Sequence, residues 1–367
     1  MTHPRRLLRS LERQIVDADP VEAECLRAQY IGYLAGYGRI DEAKSELLDL
    51  RHRHSASTHP IVGPWVIFAD SLVDRAAADH DSSLIKMRRA HALSRGGNLN
   101  KLQALTSAWL AHIYWNLQDV DLTVSYAREA LALSSQASHA AIIRVSLVIG
   151  EGLLIGRNEA LGQSWYVKAR DLSQKIGDEL SLSALIFNLT SVRLMLLRQD
   201  VLSSRTSCTG LTHILASQNS ENFDNIMGIK MDARTPIQQA KVLSLQGKAE
   251  KALELYAKHA REPKLLATRR ERCEWLADES WCLARLGRNF EAVGVAQTAQ
   301  DAVVKETHID DLAAIYSRLA RTYDLVGDLE SASRFAGAAD ALWIQYKSLQ
   351  LKFSRSLATL RPEGEVL

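Results

Sequence analysis

Between Ala313 and Leu342 the apolar residues recur at threes and fours. Tyr316, Leu319, Ala320 and Tyr323 share one face of a 3.6-residue helix. Gly327 follows one turn later and suits the left-handed residue that ends a helix. Asp328 can then cap a second helix, whose inner face is Ala332, Ala336 and Ala339. Small residues there let two antiparallel helices approach closely. One such hairpin cannot bury its apolar face alone, so stacked copies are implied.

Weaker copies run upstream. Residues 5–16 predict an amphipathic lead-in helix. The first hairpin, Glu22–Leu50, carries Leu26, Tyr30 and Leu34, a turn at Gly38, then Ala43, Leu47 and Leu50. The second spans Val62–Ser94, with Trp65, Phe68 and Leu72 inward and His80–Asp81 at the turn; Gly96–Gly97 breaks the chain after it. Gln118–Asp119 stands at the third turn and Gly156 at the fourth. In the fifth hairpin, Leu182–Leu215, Gln199–Asp200 takes the place of a turn glycine. An insertion near 217–235 follows, and Thr235–Pro236–Ile237–Gln238 restarts the pattern as a capping box with proline at the first helical position. Gly247, Gly287 and Gly327 mark the last three turns.

An aromatic and a Leu-Ala pair on the first helix, a turn glycine and three alanines on the second resemble the tetratricopeptide repeat. The carriers are Tyr316, Leu319–Ala320, Tyr323, Gly327, Ala332, Ala336 and Ala339. The proline that usually ends that repeat is missing. Turns spaced by about 40 residues exceed the standard repeat of about 34. They are similar to the long variants in bacterial regulators of the maltose-activator type and in sensor modules. The resemblance implies an all-α, right-handed superhelical solenoid of about eight antiparallel hairpins. A single array is expected over 1–367: a cap at 1–21, hairpins over 22–342, and a capping or coiled-coil helix with tail at 343–367.

The composition agrees with a helical array. The 367 residues are 47% hydrophobic with only seven prolines. Lys and Arg number 45 against 43 Asp and Glu, a net charge of +2, which argues against a nucleic-acid protein working through a broad basic surface. No apolar run of spanning length and no apolar signal core is read from the sequence, so a cytoplasmic location is expected. Cys25, Cys208, Cys273 and Cys282 are scattered, unlike a disulfide framework.

No catalytic constellation is present: no phosphate-binding Gly-rich loop, no nucleophile elbow, no paired-Cys zinc pattern. The chain therefore reads as a non-enzymatic protein without cofactor or metal. Gly150–Glu151–Gly152 falls mid-helix, where close packing explains it. His52, His54 and His59 lack a Cys or carboxylate at fixed helical spacing and read as a solvated loop. Glu279 occupies the position of Leu319 and needs a partner, with Arg272 and Lys241 the candidates.

In repeats of this kind the first helices line the concave face, which holds peptides or partner helices. On that face stand His112, Trp115, Arg193, Lys241, Trp281, Arg318 and Arg321, with Arg318 and Arg321 read as outward. Cations with tryptophans suit a protein or peptide partner bearing carboxylates. The asparagine-and-lysine clamp of chaperone-binding repeats does not occur within any one repeat. After Ala339, Leu342, Tyr346, Leu349, Phe353, Leu357 and Leu360 recur at threes and fours. They form either a cap on the last repeat or a homodimer seam, as in a sensing regulator.

Overall fold

A computed structural model describes residues 6–54, 59–133, 138–204, 234–259, 269–305 and 307–360. These residues form sixteen helices and, among the described residues, no strand. In chain order they are α1 Arg6–Asp17, α2 Pro20–Gly36, α3 Ile40–Arg53, α4 Val62–Ala76, α5 His80–Gly96, α6 Asn100–Asn116, α7 Val120–Ala132 and α8 His139–Ile155. Then come α9 Glu159–Ile176, α10 Glu179–Ser204, α11 Arg234–Leu245, α12 Ala249–His259, α13 Arg269–Arg285, α14 Asn289–Asp301, α15 Ile309–Val326 and α16 Leu329–Leu357. Cys208 and most of the expected insertion lie outside the described residues.

The hairpins follow from a repeated piece of local chemistry. A residue in the left-handed region stops the first helix, and in several repeats an Asp directly after it caps the second. Gly38, Gly247, Gly287 and Gly327 take this role with φ between 73° and 87°, where glycine carries no Cβ penalty. Asp79, Asp119 and Asp328 accept the backbone N–H of Ser82, Leu122 and Ser331. Asp19 caps α2 in the same way, with Pro20 at the first helical position.

Two turns fall beside their expected places: Ala78 rather than His80–Asp81 and Arg157 rather than Gly156 take positive φ, while Asn98 takes it within the break expected around Gly96–Gly97. The fifth turn is corrected outright. Gln199–Asp200 lies inside α10, and the Gln199 amide is exchanged reciprocally with that of Gln350 at 2.9 and 3.0 Å. No residue there takes a left-handed φ, so the helix runs on. The absence of an apolar stretch of spanning length is corrected too. Glu179–Ser203 is long and apolar enough to cross a membrane by length and composition, although it carries Arg193 and Arg198.

One continuous array was expected; the chain divides into two compact units. The first holds α1–α9, the start of α10 through Ile186 and the end of α16 from Lys352. The second holds α10 from Phe187, α11–α15 and α16 through Leu351. In the first, Trp165, Met87, Leu102, Leu110, Ile143 and Leu147 are fully buried. Gly150 is a packing residue there: a Cβ would lie 3.1 Å from the carbonyl oxygen of Gly162, so α8 and α9 meet backbone to backbone. In the second, Tyr256, Leu276, Ile315, Leu319, Tyr323 and Phe335 form the core with the small residues Ala252, Ala296 and Ala299.

Candidate functional site

In the second unit the first helices bury a polar row. Arg198, Gln238, Asp278 and Arg318 stand 40 residues apart in sequence, one per repeat, and are 4, 9, 0 and 1% exposed. Charged residues reach such burial only when paired. Arg318 Nε donates to Asp278 Oδ1 at 2.6 Å, and its Nη2 to Ser244 Oγ at 3.0 Å. Arg198 Nη2 reaches Asp278 Oδ2 at 3.4 Å, where the Tyr256 hydroxyl also donates at 3.3 Å. Glu274, one turn before Asp278 on α13, pairs with both Arg198 and Lys241. Three cations thus face two carboxylates. Arg198 Nε and Gln238 Oε1 have no partner among the described residues.

Burial pushes the Asp278 carboxyl up, but Arg198, Arg318 and Lys241 outweigh it and hold the group below the usual carboxylate range. Asp278 is therefore a carboxylate at neutral pH. Trp281 borders it, with the Arg318 guanidinium 4.3 Å from its ring centroid.

Nearly one turn further along each helix a second row repeats the spacing: Lys241, Trp281 and Arg321, all partly exposed. Arg321 donates to the carbonyl oxygens of Val201 and Leu202 at 2.7 and 3.4 Å, two of the last carbonyls of α10 that lack an intrahelical partner. The structure thus brings Lys241, Trp281, Arg318 and Arg321 onto neighbouring first helices. The reading of Arg318 as outward is corrected: it is buried beneath Trp281 and bound to Asp278. Lys241 engages Glu274, and Glu279 is only partly buried. The carboxylates that needed partners on α13 are Glu274 and Asp278. Arg193 is exposed on α10.

His112 and Trp115 belong to the first unit. His112 Nε2 accepts from Arg75 at 2.8 Å, with the Trp109 ring edge-on at 5.8 Å. Burial first, then Arg75 and Arg144, push its pKa well below the usual value, so the ring is neutral. Trp115 packs on Phe353 at 4.6 Å. Beside it, burial raises the Glu151 carboxyl to about 7, against a hydrogen bond from Trp115.

The seam reading is corrected for three of its residues. Tyr346, Phe353 and Leu357 are 3, 2 and 0% exposed within this single chain. Tyr346 packs against Trp343, whose indole N–H donates to Ser317 at 3.0 Å. Leu342 and Leu349 are partly buried. These side chains already have an intramolecular surface to cover, as a capping helix does.

Reactive groups are few among the described residues. Burial raises the thiols of Cys25 and Cys282 to about 12, which leaves them protonated and inert. His308, Asp310 and Asp311 offer ligand atoms within 4.8 Å of one another at the start of α15. Carboxylates in a first helical turn are also favoured by the helix dipole alone. His59 Nδ1 accepts the backbone N–H of Val62 at 3.0 Å, and His54 faces Glu24 at 3.8 Å.

No family model matches this chain, and no curated protein does. Among solved structures it resembles a Rap protein complexed with Competence and Sporulation Factor. The TM-score is 0.58 at 9% identity, over 93% of this chain and 92% of that one. The fold is a tetratricopeptide-like helical repeat. At this identity the likeness speaks for the fold alone. Arg198, Glu274 and Asp278 belong to the buried row and its ion pairs, and none of them was singled out from the sequence. For Arg198 and Asp278 a signal was present, a polar residue at each of four positions joined by three 40-residue spacings; Glu274 lies outside that series.

Proposed function

We propose that this chain is a non-enzymatic helical-repeat protein that binds a peptide, or a segment of a partner protein, on the first helices of its hairpins. In the second unit the bound segment lies against α11, α13 and α15 and presents carboxylates to Lys241 and Arg321. The supporting observation is the pair of superposed rows. The inner row, Arg198–Gln238–Asp278–Arg318, fixes the helices through buried ion pairs. The outer row, Lys241–Trp281–Arg321, places a cation, a ring and a second cation at equivalent points of successive repeats.

Such a row suits an extended acidic segment. Arg and Lys offer charge-assisted bonds to carboxylates, and Trp281 offers an amphipathic surface between them. Glu274 holds Lys241 in the absence of a partner, so an incoming carboxylate exchanges one ion pair for another instead of meeting a bare cation. The Rap protein in complex with Competence and Sporulation Factor is a ligand-bound example of this architecture.

A random peptide display library tests the reading. Enriched sequences should be rich in Asp and Glu. Enrichment should fail for the Lys241→Glu, Arg321→Glu double variant and weaken for the neutral Lys241→Gln, Arg321→Gln pair, with circular dichroism confirming both are folded. Enrichment that survives both changes would count against this face.

A further inference from the structure

The first unit holds a cavity of about 630 Å³ between α1, α2 and the ends of α6, α8 and α9. That volume is in the range of small-molecule sites. Arg6, Arg9, Arg13, Lys101 and Lys175 line it, and no Asp or Glu does among the described residues. None of these five side chains is ion-paired with a described residue, whereas Arg39, Arg51, Arg53 and Lys86 in the same unit all are.

The placement runs against local preference. Arg6 and Arg9 stand in the first turn of α1 and Lys101 in the first turn of α6. The N-terminal end of a helix dipole disfavours cations, so three of the five sit where secondary structure alone would put an acid. Lys175 does have a local reason, since it lies in the last turn of α9.

A third helix points the same way. The first turn of α8 lines the cavity through Ser138, His139 and Ala140. Ser138 occupies the N-cap position but makes no side-chain cap bond, and its Oγ is buried without a partner. The N–H groups of Ala141 and Ile142 turn onto the Ser138 carbonyl at 3.0 and 3.4 Å, which leaves the first two N–H groups of this 17-residue helix, those of His139 and Ala140, at the cavity wall. Gln29, only 9% exposed, lines the same cavity, and its Nε2 also lacks a partner among the described residues. Buried polar atoms without partners are rare in folded proteins, and two here border one basic cavity. Leu7, Leu11 and Leu26 give the cavity an apolar side, next to Ser10 and Gln14.

We infer that this cavity binds a small phosphorylated molecule carrying two or more phosphate groups on an uncharged body. Five cations, the first N–H groups of α8 and two unpartnered polar groups exceed what one carboxylate can satisfy. Phosphate oxygens accept from guanidinium forks and from backbone N–H groups alike, and the leucine wall receives the uncharged part.

Calorimetric titration of the full chain with sodium pyrophosphate and with a nucleoside triphosphate tests the inference, with an acidic decapeptide as the competing class. Both phosphate compounds should bind, the larger more tightly, and hydrogen exchange should slow in the first turn of α8. The exposed pair Arg9→Gln, Arg13→Gln should weaken binding about tenfold or more. Arg288→Gln, in the second unit, should leave it unchanged. If Arg9 and Arg13 prove necessary for folding, Lys101→Met provides the same reading. Failure of both phosphate compounds to bind would overturn the inference. So would equal binding by the wild type and the cavity variants, or decapeptide binding that the Arg9→Gln, Arg13→Gln pair abolishes.

Discussion

Replacing Asp278 by Asn tests the buried row at its centre. The side chain keeps its size and loses its charge. Asp278 is fully buried and receives Arg318 at 2.6 Å, Arg198 at 3.4 Å and Tyr256 at 3.3 Å. After the change three cations share Glu274 alone. Breaking a buried pair by removing one partner costs about 3–5 kcal/mol. The longer Arg198 contact, and the remaining attraction to Glu274, place the expected loss near the lower end, about 3 kcal/mol. With a urea slope of about 1–3 kcal/mol/M, the midpoint should fall by about 1 M or more. Tryptophan fluorescence is a suitable probe, since the Trp281 ring covers Arg318 at 4.3 Å. Adding Arg318→Met to the Asn variant should recover part of the loss, because the second change removes the charge the first left unpaired. The pH dependence has a definite sign. Asp278 is held below the usual range, so its contribution is fully present above the unfolded carboxyl pKa of about 3.9 and is lost as pH falls through the lower native value. The gap between wild type and Asp278→Asn should stay constant from neutrality to about pH 4 and close below it. A loss under about 1 kcal/mol, or strict additivity of the two changes, would refute the reasoning.

Two further changes test other parts of the account. The Glu151 carboxyl is raised to about 7, so the native state holds its proton above the unfolded pKa and stability falls as pH rises across that window. Glu151→Gln should therefore gain on wild type from about pH 4.3 to 7, by up to about 1.4 kcal/mol per unit, and then level off; equal urea midpoint differences at pH 5 and 8 would contradict the burial argument. Truncation after Ala341 removes Trp343, Tyr346, Phe353 and Leu357, all nearly fully buried. Loss of cooperative unfolding is expected, while a folded monomer arising from a dimer would restore the seam reading.

Much of the fold was legible because glycine and Asp mark hairpin turns chemically. Gly38, Gly247, Gly287 and Gly327 need no tertiary information to be read as left-handed stops. Ala78, Asn98, Gln118 and Arg157 take the same conformation, with φ between 54° and 65°, but three of their residue types give little warning of it. Gln199–Asp200 misled because Gln118–Asp119 is a true turn with the same two residues; what differs is the Gln350 partner, which no local pattern shows. Arg318 misled for a related reason. On a helical wheel it flanks the apolar face of α15, but that helix is buried on more than one side, and residues from Ala313 to Ala320 are covered almost throughout. One-face reasoning overestimates exposure on the inner helices of a repeat array. The basic cavity was not legible at all. Its cations come from α1, α6 and α9, and only folding brings them together.

The most direct test of the binding proposal is a hydrogen-exchange footprint of a selected acidic peptide on the intact chain. Exchange should slow along α11, α13 and α15, centred on Lys241, Trp281 and Arg321, with the first unit unaffected. Protection confined to the first unit, or spread evenly over the chain, would contradict it.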